Sequence, residues 1–386
     1  MIGTKPIVPT AAAPVAPVSP AFASPAAAAR LGYRPSLDGL RGVAILCVLA
    51  VNSLLPFFPG GFLGVDIFFV LSGFLITTLL MEEWDRSGAI NLKYFYARRA
   101  LRLLPALFLL LTAACLYGLL FQSREMAAVT WRESLWVLFY FANWMLTIEH
   151  EVGSLDHAWS LSVEEQFYVL WPIALLMLLR LGVSRDRILM LLGLLIVAAA
   201  IWRAFLWHNG AHYLRLYYGS DTRADALLIG CFTGLLFSWN RLPRSEIGLA
   251  ISRALAAVGV LFLLYIGVLV PHDAGFLYAG GFTLIAFAAA VLLVQALGPQ
   301  PNAASQFLAN PMLVWIGCIS YSLYLWHYPI FHALRLERFE SLGWNPFLVH
   351  TIRFAAVFAA AGASYYFIER PFLRLKPRLH TAAIRT

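Results

Sequence analysis

Charge is scarce in this sequence. Asp, Glu, Lys and Arg together make up 12% of the 386 residues, about half the share of a soluble domain. That shortage excludes a solvated surface over most of the chain. Cysteine is scarce too. The four present (Cys47, Cys115, Cys231, Cys318) fall singly inside apolar runs. They match no metal-ligand spacing, so they read as small packing residues, and no metal site is expected. Acidic residues number 20 against 28 basic ones, a net charge of +8. The basic residues cluster in alternate connections, which is what orientation in a bilayer requires, and no nucleic-acid partner is expected.

Apolar residues are abundant. They form 61% of the chain, with a mean hydropathy of +0.75, in runs that repeatedly reach the ~20 residues needed to cross a bilayer. These runs predict an all-α fold, a polytopic membrane helical bundle of about ten transmembrane helices. The spans are placed at 37–57, 62–82, 101–121, 160–181, 187–207, 223–239, 254–270, 276–297, 312–334 and 347–368. The aromatic stretch 131–147 is short for a span and reads as an interfacial or re-entrant helix. Residues 1–33 are Ala/Pro-rich and predict a disordered tail. Pro14, Pro17 and Pro20 interrupt any signal-peptide h-region before Ala21-Phe22-Ala23. The membrane domain is expected over 34–376, followed by a short tail, 377–386.

Lys93, Arg98, Arg99 and Arg102 follow the second span, and Arg370, Arg374, Lys376 and Arg378 follow the tenth. The connections 57–62 and 271–276 lack Lys and Arg. The positive-inside rule therefore predicts cytoplasmic termini.

Ionisable residues at membrane depth are costly and are the first functional candidates. Arg41 and Asn52 lie eleven residues apart and so share a helix face, ~16 Å apart along the axis. Asp66, in the first turn of the second span, either complements the helix dipole or orients a reacting group. Arg99 and Arg102 begin the third span on one face, where guanidinium groups and free backbone N–H groups can hold phosphates, or where they serve topology alone. Ser162 and Glu165 have capping-box spacing, which leaves Glu164 and His157 without a structural explanation. Tyr321, Tyr324 and Tyr328 line one face of the ninth span with His327 beside them. Pro329 frees a carbonyl there, which reads as the wall of a polar cavity.

Six stretches carry a resemblance: LDGLRG from Leu37, GGFLGVDIFFVLSGFLIT from Gly60, YARRALRLLP from Tyr96, HAWSLSVEEQFYVLWP from His157, SYSLYLWHYPI from Ser320 and YYFIERP from Tyr365. In this order they resemble the acyltransferase family 3 of membrane O-acyltransferases, from Leu37 to Pro371. The resemblance implies transfer of an acyl group, most often acetyl, from cytoplasmic acyl-CoA. The acceptor is a hydroxyl of a sugar-containing molecule: a surface polysaccharide, a glycolipid or a macrolide-like glycoside. It implies residence in a bacterial cytoplasmic membrane, with no metal. No appended extracytoplasmic esterase-like domain is expected in these residues.

Arg41 matches the family's first-span arginine, and Arg99 with Arg102 its paired-arginine motif, implicated in CoA handling. Asn52 departs from the pattern, standing where the family has a histidine expected as general base or transient acyl carrier. An amide cannot take a proton near neutral pH. An engineered substitution, another base (His327, His157 or Glu164) and an inactive relative all remain open. The expected catalytic set is Asn52, Asp66, Arg41, Glu164 and His327. Arg98, Arg99 and Arg102 are expected to hold the donor, with Trp159, Tyr321 and Tyr324 beside it. A transporter or flippase of an acyl group or lipid-linked sugar is the rival reading.

Overall fold

The computed structural model describes residues 31–53, 57–149, 153–298, 302–341 and 343–375. Apart from residues 31–33, the two expected tails lie outside the described residues. In chain order the helices are α1 (Pro35–Asn52), α2 (Leu63–Ser87), α3 (Leu92–Phe121), α4 (Arg124–Leu138), α5 (Ala142–Glu149), α6 (Trp159–Arg180), α7 (Arg185–His208), α8 (Tyr213–Tyr218) and α9 (Ser220–Ser238). They continue with α10 (Glu246–Leu269), α11 (Phe282–Ala296), α12 (Ala303–Leu308), α13 (Pro311–Cys318), α14 (Ser320–Ala333), α15 (Leu336–Glu340), α16 (Pro346–Ala363) and α17 (Arg370–Leu373). No strand occurs among the described residues. The protein is an all-α polytopic membrane bundle.

Eight helical stretches have the length and apolarity to cross a bilayer: α1, α2, α3, α6, α7, α10, α11 with the π-helical turn before it, and α16 with its continuation to Leu373. The other two predicted spans depart from simple membrane helices. The ninth is broken at Ile319 into α13 and α14. The sixth, α9, carries Asp221, Arg223 and Asp225, charges that only pairing makes tolerable at that depth. Arg223 donates to Asp66 at 2.8 Å. Arg203 of α7 pairs with Asp225 at 2.9 Å and also donates to Thr283 and to the Thr222 carbonyl.

Backbones approach closely where glycine removes the side chain. A Cβ on Gly317 of α13 would sit 1.7 Å from the Asp38 carbonyl oxygen of α1, and one on Gly73 of α2 would sit 2.0 Å from that of Leu227 in α9. Gly60 and Gly61 likewise serve close approach. Their missing Cβ atoms make room for the Ile266 and Cys47 carbonyls. These contacts join α1, α2, α9 and α13 into the interior, whereas α7 and α10 expose Leu194, Ile201, Val258 and Leu261 as a lipid-facing rim.

The aromatic stretch 131–147 forms the end of α4 and most of α5, separated by Tyr140 at φ 58°. Asn143 of α5 is fully buried, donating to the Tyr218 carbonyl and to Ser220, and Gln166 of α6 donates back to Asn143 and to the Tyr140 carbonyl. This network draws α5 into the bundle beside α6 and α8.

Candidate active site

Two cavities lie end to end between the helices. The first, about 150 Å³, is walled by α2 on its apolar side (Phe68, Leu71, Leu75, Ile76) and by α1, α3, α6 and α14 on its polar side. Arg41, Arg99, Arg102, Glu164, Ser72, Tyr321 and Tyr324 face it. The second, about 280 Å³, is bounded by Asn52, His157, Trp159, Tyr217, Tyr218, His272, His327 and Tyr328. Val65 and Tyr324 belong to both walls. The tyrosine ladder read from α14 thus runs the length of the route: Tyr321 in the first cavity, Tyr324 at the junction, Tyr328 in the second.

The route is not an open tube. The Tyr324 hydroxyl is held by Ser160 at 2.6 Å and by the His157 carbonyl, so its ring forms a partition between the cavities.

Within the first cavity the arginines differ. Arg99 is committed: it donates to both oxygens of Glu165, as close as 2.6 Å, and lies 3.2 Å from the Tyr168 ring centroid. Arg102 has no hydrogen bond or ion pair among the described residues, yet it lies close enough to Arg41 and Arg99 for mutual repulsion. Arg41 has only a loose contact to Asp38, at 3.9 Å. Glu369 of the YYFIERP stretch, buried and hydrogen-bonded by Ser322, attracts both Arg102 and Arg41. A cavity with two under-neutralised guanidinium groups suits an anionic ligand.

Several sequence expectations need correction. Arg98 lies outside this cavity, against Glu83 at 3.4 Å and over the Tyr94 ring. Helix α3 begins at Leu92, capped by Asn91, so Arg99 and Arg102 stand two to three turns inside it and find no free backbone N–H groups. Trp159 lines the second cavity rather than the donor side. Tyr321 reaches the first, but its hydroxyl is taken by the Leu103 carbonyl at 3.0 Å. Glu165 makes no capping box, because α6 starts at Trp159 and Glu165 reaches Arg99. Glu164 accepts from Ser72 in the first cavity, away from Asn52. Asp66 borders neither cavity and is spent on Arg223. Asn52 is the last residue of α1, not a mid-helix group, and its amide nitrogen donates to the Val48 carbonyl at 2.8 Å.

Glu369, Ser72, Ser160 and Tyr217 were not singled out from sequence. Glu369, Ser72 and Ser160 stood inside recognised stretches, and only their places in the structure mark them. Tyr217 carries no local signal at all.

A basic cavity and an aromatic one thus abut within a multi-pass helical bundle. The Acyltransferase domain model matches residues 34–369, and the chain belongs to that family, acyltransferase 3. The peptidoglycan O-acetyltransferase OatA of Listeria monocytogenes is 34% identical over 354 residues, covering 88% of this chain and 56% of that protein. The Bacillus subtilis protein named "Putative peptidoglycan O-acetyltransferase YrhL" is 34% identical over 356 residues, covering 88% of this chain and 55% of its own length. The chain thus spans little more than half the length of these relatives. No solved structure matches it.

Proposed function

We propose that this protein is a membrane O-acetyltransferase. It takes the acetyl group of cytoplasmic acetyl-CoA in the Arg41/Arg102 cavity and delivers it to a sugar hydroxyl in the Asn52 cavity. The observation that carries this reading is the pair of abutting cavities on the Arg41–Asn52 face of α1, basic at one end and aromatic at the other. Arg102, with no hydrogen bond or ion pair among the described residues, and Arg41 take the donor's negative groups. Arg99, locked to Glu165, shapes the wall and contributes charge at a distance. The pantetheine arm lies against the apolar side chains of α2. Its thioester passes the Tyr324 partition as that hydroxyl releases Ser160.

On the acceptor side Trp159, Tyr217 and Tyr218 offer ring faces to a sugar, and the relatives' names point to a cell-wall glycan. The orientation that serves this route puts the Arg99 end and both termini in the cytoplasm of a bacterial inner membrane.

The test is equilibrium binding of radiolabelled acetyl-CoA to the purified chain in detergent, with acetyl transfer to a soluble N-acetylhexosamine oligosaccharide. Saturable binding that Arg102→Ala weakens supports the reading. A chain that binds no acetyl-CoA sinks it.

A further inference from the structure

We infer that His327 is the proton acceptor for the incoming hydroxyl in this chain, with His157 beside it as the donor that steadies the thioester oxygen. This rests on the acetyltransferase reading and assigns the base that Asn52 cannot be.

His327 is fully buried in α14 and borders the second cavity. Its Nδ1 meets the Tyr324 carbonyl at 2.7 Å. A carbonyl only accepts, so the proton sits on Nδ1 and the Nε2 lone pair is left available. Nε2 has no partner. His157 borders the same cavity with neither ring nitrogen hydrogen-bonded among the described residues; its ring stacks on Tyr328 at 5.2 Å and stands edge-on to His327 at 5.2 Å. Unsatisfied buried ring nitrogens are costly and call for a ligand. Two histidines with idle nitrogens at one cavity are explained together by one that both donates and accepts. Asn52 offers no competing base, since an amide takes no proton near neutral pH; its nitrogen donates to the Val48 carbonyl.

In the step, the acceptor oxygen attacks the thioester carbonyl carbon as its proton passes to His327 Nε2. The His157 N–H holds the developing oxyanion. The carbon–sulfur bond then breaks, and the departing thiolate takes the proton from His327. The products are the sugar ester and free CoA thiol.

His327→Asn tests this directly. Its amide nitrogen can still bond to the Tyr324 carbonyl, so the local fold is kept while the Nε2 site is lost. Acetyl-CoA binding should match the parent's, while transfer to the oligosaccharide falls ~10²- to 10⁴-fold, the usual cost of losing a general base. His157→Gln should lower transfer with binding kept. Transfer by His327→Asn within threefold of the parent overturns the inference. So does a parent that binds acetyl-CoA but transfers nothing until Asn52→His is introduced. Loss of acetyl-CoA binding by the parent is a different failure, that of the acetyltransferase reading itself.

Discussion

Removing the Asp66 carboxylate separates a structural role from a chemical one. Asp66 and Arg223 are each about 1% exposed and meet at 2.8 Å. Arg223 also lies 3.8 Å from the Phe282 ring centroid, so it is enclosed on several sides. Asp66→Ala leaves that guanidinium buried without a counter-charge, a change that costs about 3–5 kcal/mol. Replacing both partners by apolar residues, as in Asp66→Ala with Arg223→Met, removes the stranded charge and is expected to be close to neutral. The assay is thermal unfolding in detergent followed by size-exclusion chromatography, with acetyl transfer measured on whatever remains monodisperse. The single variant should unfold well below the parent, and the double variant should recover both its stability and most of its turnover. A double variant that is folded, binds acetyl-CoA and is inactive would refute the argument. Asp66 would then belong to the chemistry after all.

Three further outcomes follow from the geometry. Arg102→Ala should weaken acetyl-CoA binding by roughly 10- to 100-fold, the worth of a charged hydrogen bond, and Arg98→Ala by less than threefold, both measured by equilibrium dialysis. Gly317→Ala drives a methyl group into the Asp38 carbonyl and should cost about 3 kcal/mol or more. Gly193→Ala on α7, where a Cβ meets nothing, should be neutral or stabilising by up to about 1 kcal/mol in the same melt. Glu133 on α4 is buried beside Asp156, and burial together with that second carboxyl pushes its pKa well above the usual carboxylate range. The folded state therefore holds the proton more tightly than the unfolded one, so stability falls as pH rises above the usual carboxylate range, about 4.5. Glu133→Gln should flatten that slope in a pH series of melts; an unchanged slope would assign it to another group.

The bundle was largely legible because bilayer thickness sets a length that apolar runs must meet, and α2, α7 and α10 meet it without ambiguity. Pairings between distant residues were not legible. Asp66 and Arg223 are separated by 157 positions, so Asp66 looked like an isolated charge with a helix dipole for company. Glu165 fitted a local capping pattern well enough to hide its real partner, Arg99, on another helix. The break at Ile319 lies inside an apolar run that reads as continuous. At the site, Arg41, Arg102, Tyr324 and His327 stood out because polar groups are expensive at depth. Ser72 and Ser160 did not, because a hydroxyl can satisfy itself within its own helix and draws no attention.

The glycine contacts around α1 have a consequence for what the protein can accept as a donor. Gly42 of α1 seats on the Leu313 carbonyl and Gly64 of α2 on that of Ala44, so α1 is gripped from two sides and cannot slip along its axis without collision. The interval between the Arg41 guanidinium and the Asn52 amide is therefore a rigid gauge. On the proposed acetyl-CoA route, a thioester on a truncated carrier would fall short, anchored at one end with its carbonyl stranded below the partition. Selection of this kind acts on the length of the handle rather than on the group being handed over.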